Sequence, residues 1–168
     1  MSEDPTVRAL FERFPCGVFI LSLPGPGESL MGIVATWVMQ VAFEPPLVAV
    51  SVEREGALAE ALQRAGRFSL NLVRSDDIST AKGVLKHGPD LAGSEIGEAF
   101  RLTGEGLPVL RNGAGHLACQ TTQIHEAGDH LLVVAEVVRG ESPGPSEILT
   151  LRETGWKYRK KNSTKSAD

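Results

Sequence analysis

The chain reads as a mainly β protein with peripheral helices, a β-barrel or curled antiparallel sheet. Three observations predict this class. Short apolar or alternating runs recur along the 168 residues, separated by turn-forming segments such as Pro24–Ser29, Gly128-Asp129 and Pro143–Ser146; regularly spaced short strands of this kind point to an antiparallel all-β architecture. Helical periodicity is confined to about two or three short stretches, against about seven or eight candidate strands. No GxGxxG follows a strand and no GxxxxGK[ST] occurs, so neither a dinucleotide-binding Rossmann unit nor a P-loop is supported.

The elements follow from local pattern. Asp4-Pro5 supplies an N-cap followed by proline at the first helical position, and Val7, Leu10, Phe11 and Phe14 then mark one helical face before Pro15. Cys16–Leu23 is a buried-strand run. The turn PGPGES returns the chain antiparallel through Leu30–Thr36. Met31–Glu53 then reads as strand, irregular polar-aromatic connection (Thr36–Gln40), the Pro45-Pro46 break, and a strand from Leu47 to Val52. Gly56 precedes a helix with Leu58, Ala61, Leu62 and Ala65 on one face, and Gly66 stops it. Phe68, Leu70 and Leu72 alternate with Ser69 and Asn71, the period of a half-buried strand. A second helix begins near Asp76-Asp77 and uses Ile78, Ala81 and Leu85. His87–Gly106 is mostly loop with a short helix around Glu95–Phe100. Leu107–Leu110, His116–Ile124, Leu131–Val138 and Ile148–Leu151 are expected strands. Residues 1–155 form one domain in this reading, and 156–168 a basic tail.

Composition narrows the function. A hydrophobic fraction of 42% and a charged fraction of 23% are those of an ordinary soluble globular domain. Nothing approaches the roughly 20 apolar residues of a membrane span, and MSEDPTVRAL lacks the basic start and apolar core of a secretory signal. A cytoplasmic protein without a membrane role is expected. The net charge of −4 argues against an extended nucleic-acid surface, which is normally basic. Cys16 and Cys119 lie among apolar residues and are expected buried and reduced. His87, His116, His125 and His130 form neither HxH nor HExxH, so no metal site is expected. His116 and Cys119, three apart in a strand, fall on opposite faces, which disfavours a Cys-His nucleophile.

Three segments could carry chemistry. In Thr36-Trp37-Val38-Met39-Gln40 an irregular link between strands can present backbone N–H groups to the edge of a flat heteroaromatic ligand, with Trp37 against its face. Thr36 and Gln40 would add side-chain hydrogen bonds. Core or interface packing of Trp37, with Gln40 in solvent, explains the same pattern. Ser51-Val52-Glu53-Arg54 ends a strand in a hydroxyl and a guanidinium, both good phosphate partners, or merely pairs Arg54 with a neighbouring glutamate. Gly128-Asp129-His130 holds a histidine beside a carboxylate at a turn, suited to a substrate-side proton donor, although Gly-Asp also serves turns by geometry alone.

Six segments occur together: FPCGVFILS (Phe14–Ser22), ATWVMQVAFEPPLVAVSVER (Ala35–Arg54), GRFSLNLV (Gly66–Val73), GLPVLRNGAGHLACQ (Gly106–Gln120), AGDHLLVVAEVVRG (Ala127–Gly140) and LRETGWKY (Leu151–Tyr158). In this order they resemble the flavin reductase-like family, the FMN-binding split barrels, and among these the domains found alone or fused in diflavin flavoproteins. The resemblance implies a homodimeric split β-barrel with FMN (FAD is possible) near the subunit interface, reduced by NADH or NADPH. It assigns Ala35, Thr36, Trp37, Val38, Met39 and Gln40 to the isoalloxazine, and Ser51, Val52, Glu53 and Arg54 to the ribityl phosphate. Asn71 becomes a further flavin-pocket residue and His130 the nicotinamide-side catalytic residue. Arg152 and Tyr158 match the family's closing R-x-x-G-x-x-Y. Two departures stand out. KGVLKHG (Lys82–Gly88) lacks the aromatic that relatives carry there, and Leu131-Leu132 replace the aromatic after GDH. The implied activity is hydride transfer from NAD(P)H to FMN, with electrons passed to a monooxygenase or other acceptor. A non-catalytic FMN- or haem-binding module and a cofactor-free dimeric barrel are the competing readings.

Overall fold

The computed structural model describes residues 4–157. Helix α1 (Pro5–Phe11) leads into strands β1 (Phe19–Pro24), β2 (Leu30–Ala35), β3 (Val38–Ala42) and β4 (Leu47–Glu53). Helix α2 (Ala57–Ala65), β5 (Arg67–Leu72) and α3 (Ile78–His87) follow, then a 3-10 turn at Glu95–Ala99 and the short hairpin β6 (Phe100–Leu102) and β7 (Pro108–Leu110). The long hairpin β8 (Gly115–Ala127) and β9 (His130–Glu141) and the four-residue α4 (Leu151–Thr154) complete the chain. Seven strands form one antiparallel sheet in the order β2-β1-β5-β8-β9-β4-β3. The sheet curls without closing, with β2 and β3 as its two edges, joined through Thr36-Trp37.

The two faces of this sheet have different fates. Inside the curl, Leu21, Leu70, Val50, Val52, Val133 and Ala135 pack with Leu58, Ala61 and Leu62 of α2 in the main core. On the outside, Ile20 of β1 packs with Ala81 and Val84 of α3, Leu91, Phe100 and Leu110 in a second core. The β2-β1-β5 half is therefore covered on both sides. That is why β5 is buried at Ser69 and Asn71 as well as at Phe68 and Leu70, where the alternation predicted a half-exposed strand. On the other half no helix among the described residues packs against the outside of β4 and β9, and this leaves the candidate site.

Local chemistry explains the ends of elements. The Asp4 side chain accepts from the Thr6 N–H, with Pro5 in the first turn. Asp77 caps α3 through the Thr80 N–H. Gly66 closes α2 at φ 63°, a left-handed conformation that costs glycine little. Three expectations are corrected. Val38–Gln40 are not irregular, because they begin edge strand β3, paired with β4 from Val38↔Val50 to Ala42↔Leu47. Ile148–Leu151 is not a strand. Ile148 and Thr150 make only single bridges to Arg74 and Gly17, and Thr150 with Glu153 forms a capping box that starts α4 instead, a reciprocal arrangement that satisfies two otherwise orphaned donors. The helical face Val7, Leu10, Phe11, Phe14 is cut short: α1 ends at Phe11, before Phe14 and Pro15, and has no buried residue. Tyr158 and most of the basic tail lie outside the described residues. No helix among the described residues is long and apolar enough to cross a membrane.

Candidate functional site

Register builds the site. Directly opposed residues of an antiparallel pair share a face, and alternate residues along a strand point to the same side. On the uncovered outer face one row runs Ser51↔Leu132↔His125 and the next Met39↔Ala49↔Val134↔Gln123. A third row, nearer the β8–β9 turn, runs Glu53↔His130↔Ala127. Trp37 joins the first row, since its carbonyl accepts from the Ser51 N–H at 3.0 Å. Its indole lies over the His130 imidazole, with ring centroids 4.9 Å apart and planes tilted by 47°. The result is a broad platform with an apolar centre (Trp37, Met39, Leu132, Val134) and a polar margin (Glu53, His130, His125, Gln123).

His130 is the best-defined polar group. Its Nδ1 lies 2.7 Å from the Asp129 carboxylate, which can only accept, so Nδ1 carries the proton and Nε2 is the nitrogen presented elsewhere. The imidazole is held from a second side by Trp37. Arg54 stands at the margin: its N–H donates to the Asp129 carbonyl at 3.0 Å, and its guanidinium lies 3.7 Å from the Glu126 carboxylate.

Strand alternation divides the residues predicted for this site. Trp37, Met39, Ser51, Glu53 and His130 come together on the platform, with Arg54 at its edge and half-buried Thr36 at the corner between β2 and β3. Ala35 and Val52 are buried in the main core. Val38 and Gln40 point to the face opposite Trp37 and Met39, and the Gln40 amide donates to the Ala42 carbonyl. Asn71 is wholly buried on β5. Its Nδ2 donates to the Ile20 carbonyl (2.9 Å) and to Ser22 Oγ (2.8 Å), and its Oδ1 accepts from the Leu110 N–H (2.8 Å). All three bonds are internal, so Asn71 clasps β1 and β5 to β7 rather than facing a pocket. Sequence reasoning missed Leu132, Val134, His125 and Gln123. The signal was the unbroken apolar run of β9, which requires apolar side chains on both faces.

Other titratable groups lie elsewhere. Cys119 is in the main core, and burial pushes its thiol up to about 12. His116 faces the other side of β8 beside Glu141. Among the described residues no group of three or more His, Cys, Asp or Glu could hold a metal ion.

An open, curled antiparallel sheet with a flat apolar face edged by a clamped histidine and an arginine defines a β-fold suited to a planar aromatic ligand. Residues 11–156 match the model of the flavin reductase like domain, and the chain belongs to that family. It is 28% identical over 140 residues to diflavin flavoprotein A 1 of Synechocystis sp., covering 83% of this chain and 24% of that protein; the chain thus spans about a quarter of that relative's length. It is 32% identical over 117 residues to the NADH:riboflavin 5'-phosphate oxidoreductase of Streptomyces pristinaespiralis, covering 69% of this chain and 65% of the other. The solved structure of Streptomyces globisporus C-1027 NADH:FAD oxidoreductase, in complex with NAD and FAD fragments, superposes with a TM-score of 0.79 at 21% identity over 97% of this chain and 99% of that one. At that identity the match shows the fold.

Proposed function

We propose that this protein is an NAD(P)H-dependent flavin reductase that holds FMN on the Trp37–Leu132 platform. The observation that carries the reading is the coincidence of the one sheet half left uncovered with the residues of the family resemblance. The platform fits a flavin by the chemistry of its residues: an apolar centre for a ring face, the Ser51 hydroxyl among it, and the Arg54 guanidinium at the rim for a phosphate. FAD would fit the same chemistry, and the names of the relatives favour a flavin without choosing its form.

When bound, the flavin supplies the redox chemistry, accepting a hydride from the nicotinamide. The chain's own contributions are positional. Trp37 and Leu132 offer surface for stacking and keep water from it. Asp129 holds the His130 ring through Nδ1, so that Nε2 is the nitrogen turned toward a bound nucleotide. Trp37 holds that ring in place, so its orientation toward a bound nucleotide is set before binding. We further propose a homodimer, because Met39 on the edge strand β3 and Phe43 just beyond it are 61% and 87% exposed, and apolar side chains grouped at an open sheet edge are a mark of an interface. Reduced flavin or its electrons would pass to a monooxygenase or other acceptor.

The deciding experiment is anaerobic addition of NADH, and separately NADPH, to FMN-loaded protein while following the flavin visible band. Bleaching with at least one nucleotide is expected. Bound FMN that neither nucleotide bleaches would replace the reductase with a non-catalytic flavin module, and failure to take up FMN or FAD at all would remove both.

A further inference from the structure

A cavity lies at the end of the long hairpin opposite the platform. β9 is twelve residues long with His130 and Glu141 at its ends, roughly 35 Å apart at ~3.3 Å per residue. At the Glu141 end the turn after β6 flanks the outer face of β8 and β9 beside an open cavity of about 260 Å³, lined by Arg101, Thr103, Glu105, His116, Arg139 and Glu141, with Ala118 and Gly104 giving it room. Three nitrogen groups from three strands converge there on one carboxylate. Arg139 Nε is 3.1 Å from Glu141 Oε1, while Arg101 Nη2 and His116 Nε2 lie 3.8 and 3.9 Å from Oε2. His116 forms the buried wall, its side chain 8% exposed.

The geometry of this cluster is that of an incompletely filled anion clamp. Charge-assisted N–H···O bonds close to about 2.7–2.9 Å when satisfied, yet none of the three contacts does so. Oε2 stands between Arg101 and His116 without closing on either, so Glu141 fills the cluster only loosely. A phosphate group has three terminal oxygens, one for each donor. The Thr103 hydroxyl accepts from the Leu107 N–H and retains a proton to give. We propose that this cavity binds the phosphate of a small phosphomonoester through Arg101, Arg139 and His116, with Glu141 as the internal counter-ion that it displaces.

The charge balance makes the proposal sharp. Glu141 occupies the place of the anion, and Glu105 also lines the cavity, so an arriving phosphate meets opposition as well as attraction. Neutralising Glu141 must therefore tighten binding, whereas in a purely structural ion network it would only loosen the arginines.

The test uses the whole protein with inorganic phosphate as probe at constant ionic strength, following the His116 ring signals by NMR, with acetate in parallel. Saturable shifts with phosphate and none with acetate are expected, with affinity reduced tenfold or more in Arg101→Ala and Arg139→Ala and raised several-fold in Glu141→Gln. All three positions are substantially exposed, and thermal melting of each variant establishes that it is folded; should one arginine variant unfold, the other decides. No saturation up to about 50 mM phosphate, equal binding of acetate, or weaker binding in Glu141→Gln would each overturn the proposal.

Discussion

Asn71→Ala separates two roles that the sequence left joined, because the family resemblance places this residue in the flavin pocket and the structure makes it a clasp. The substitution removes three hydrogen bonds of 2.8–2.9 Å from a site with no solvent exposure. Each is worth about 1 kcal/mol net, and an unsatisfied buried N–H at Leu110 adds about 1–3 kcal/mol. Ser22 is affected too, since its hydroxyl donates to the Pro108 carbonyl at 2.7 Å while accepting from Asn71. The expected loss is therefore about 4–6 kcal/mol, a large share of the roughly 5–15 kcal/mol of a typical domain. Urea unfolding measures it, with an unchanged slope showing that the denatured state is unaffected. At about 2–4 °C per kcal/mol for a chain of this size, the midpoint of melting should fall by ~10–20 °C. FMN affinity, measured well below that midpoint, should change little. A variant that melts within a few degrees of the parent but binds FMN tenfold more weakly would refute the clasp and restore Asn71 to the pocket.

Two further predictions test register and burial. Leu132→Glu and Val133→Glu differ by one position but by a whole face: Leu132 is 37% exposed on the platform and Val133 fully buried. The first should fold, by circular dichroism, and lose at least tenfold in FMN affinity. The second should fail to fold, since an uncompensated buried carboxylate costs several kcal/mol; a folded Val133→Glu would show the register to be wrong. For Cys119, the folded thiol at about 12 against about 8.5 in an unfolded chain means that only the unfolded state ionises between those values. The stability contribution is complete below the unfolded pKa and is lost as pH rises from about 8.5 toward 12. Cys119→Ala should fall less steeply with pH across that window than the parent, and native Cys119 should react with a thiol reagent only at the rate of unfolding.

Most of the fold was legible because its determinants are local. Asp4-Pro5, Asp77 and Gly66 mark helix ends by hydrogen bonding and backbone freedom alone, and the turns at Pro24–Ser29 and Gly128-Asp129 set the hairpins. What was not legible depended on partners distant in sequence. Asn71 looks like part of the wet side of a half-buried strand until Leu110 of the β6–β7 hairpin bonds to it. Ile148–Leu151 has the composition of a strand, yet it reaches only bridging positions, and the Thr150–Glu153 box turns it into a helix.

The candidate site shows the same limit in a sharper form. A contiguous motif suggests a contiguous surface, but a β-strand deals successive residues to opposite sides. Once Val38–Ala42 joins the sheet, the side chains of Thr36–Gln40 no longer share one face: Trp37 and Met39 go to the platform, while Val38 and Gln40 turn away. The same rule recruits residues no motif contained, because Leu132 and Val134 on β9 lie across from Ser51 and Ala49 on β4. The platform is thus specified by pairing between strands some 80 residues apart, such as Ser51 with Leu132. The motif marks where the surface is, and the register decides which half of the motif belongs to it. Trp37 is the residue on which both agree: it lies outside both flanking strands and is fixed by the Ser51 N–H on one side and the His130 ring on the other.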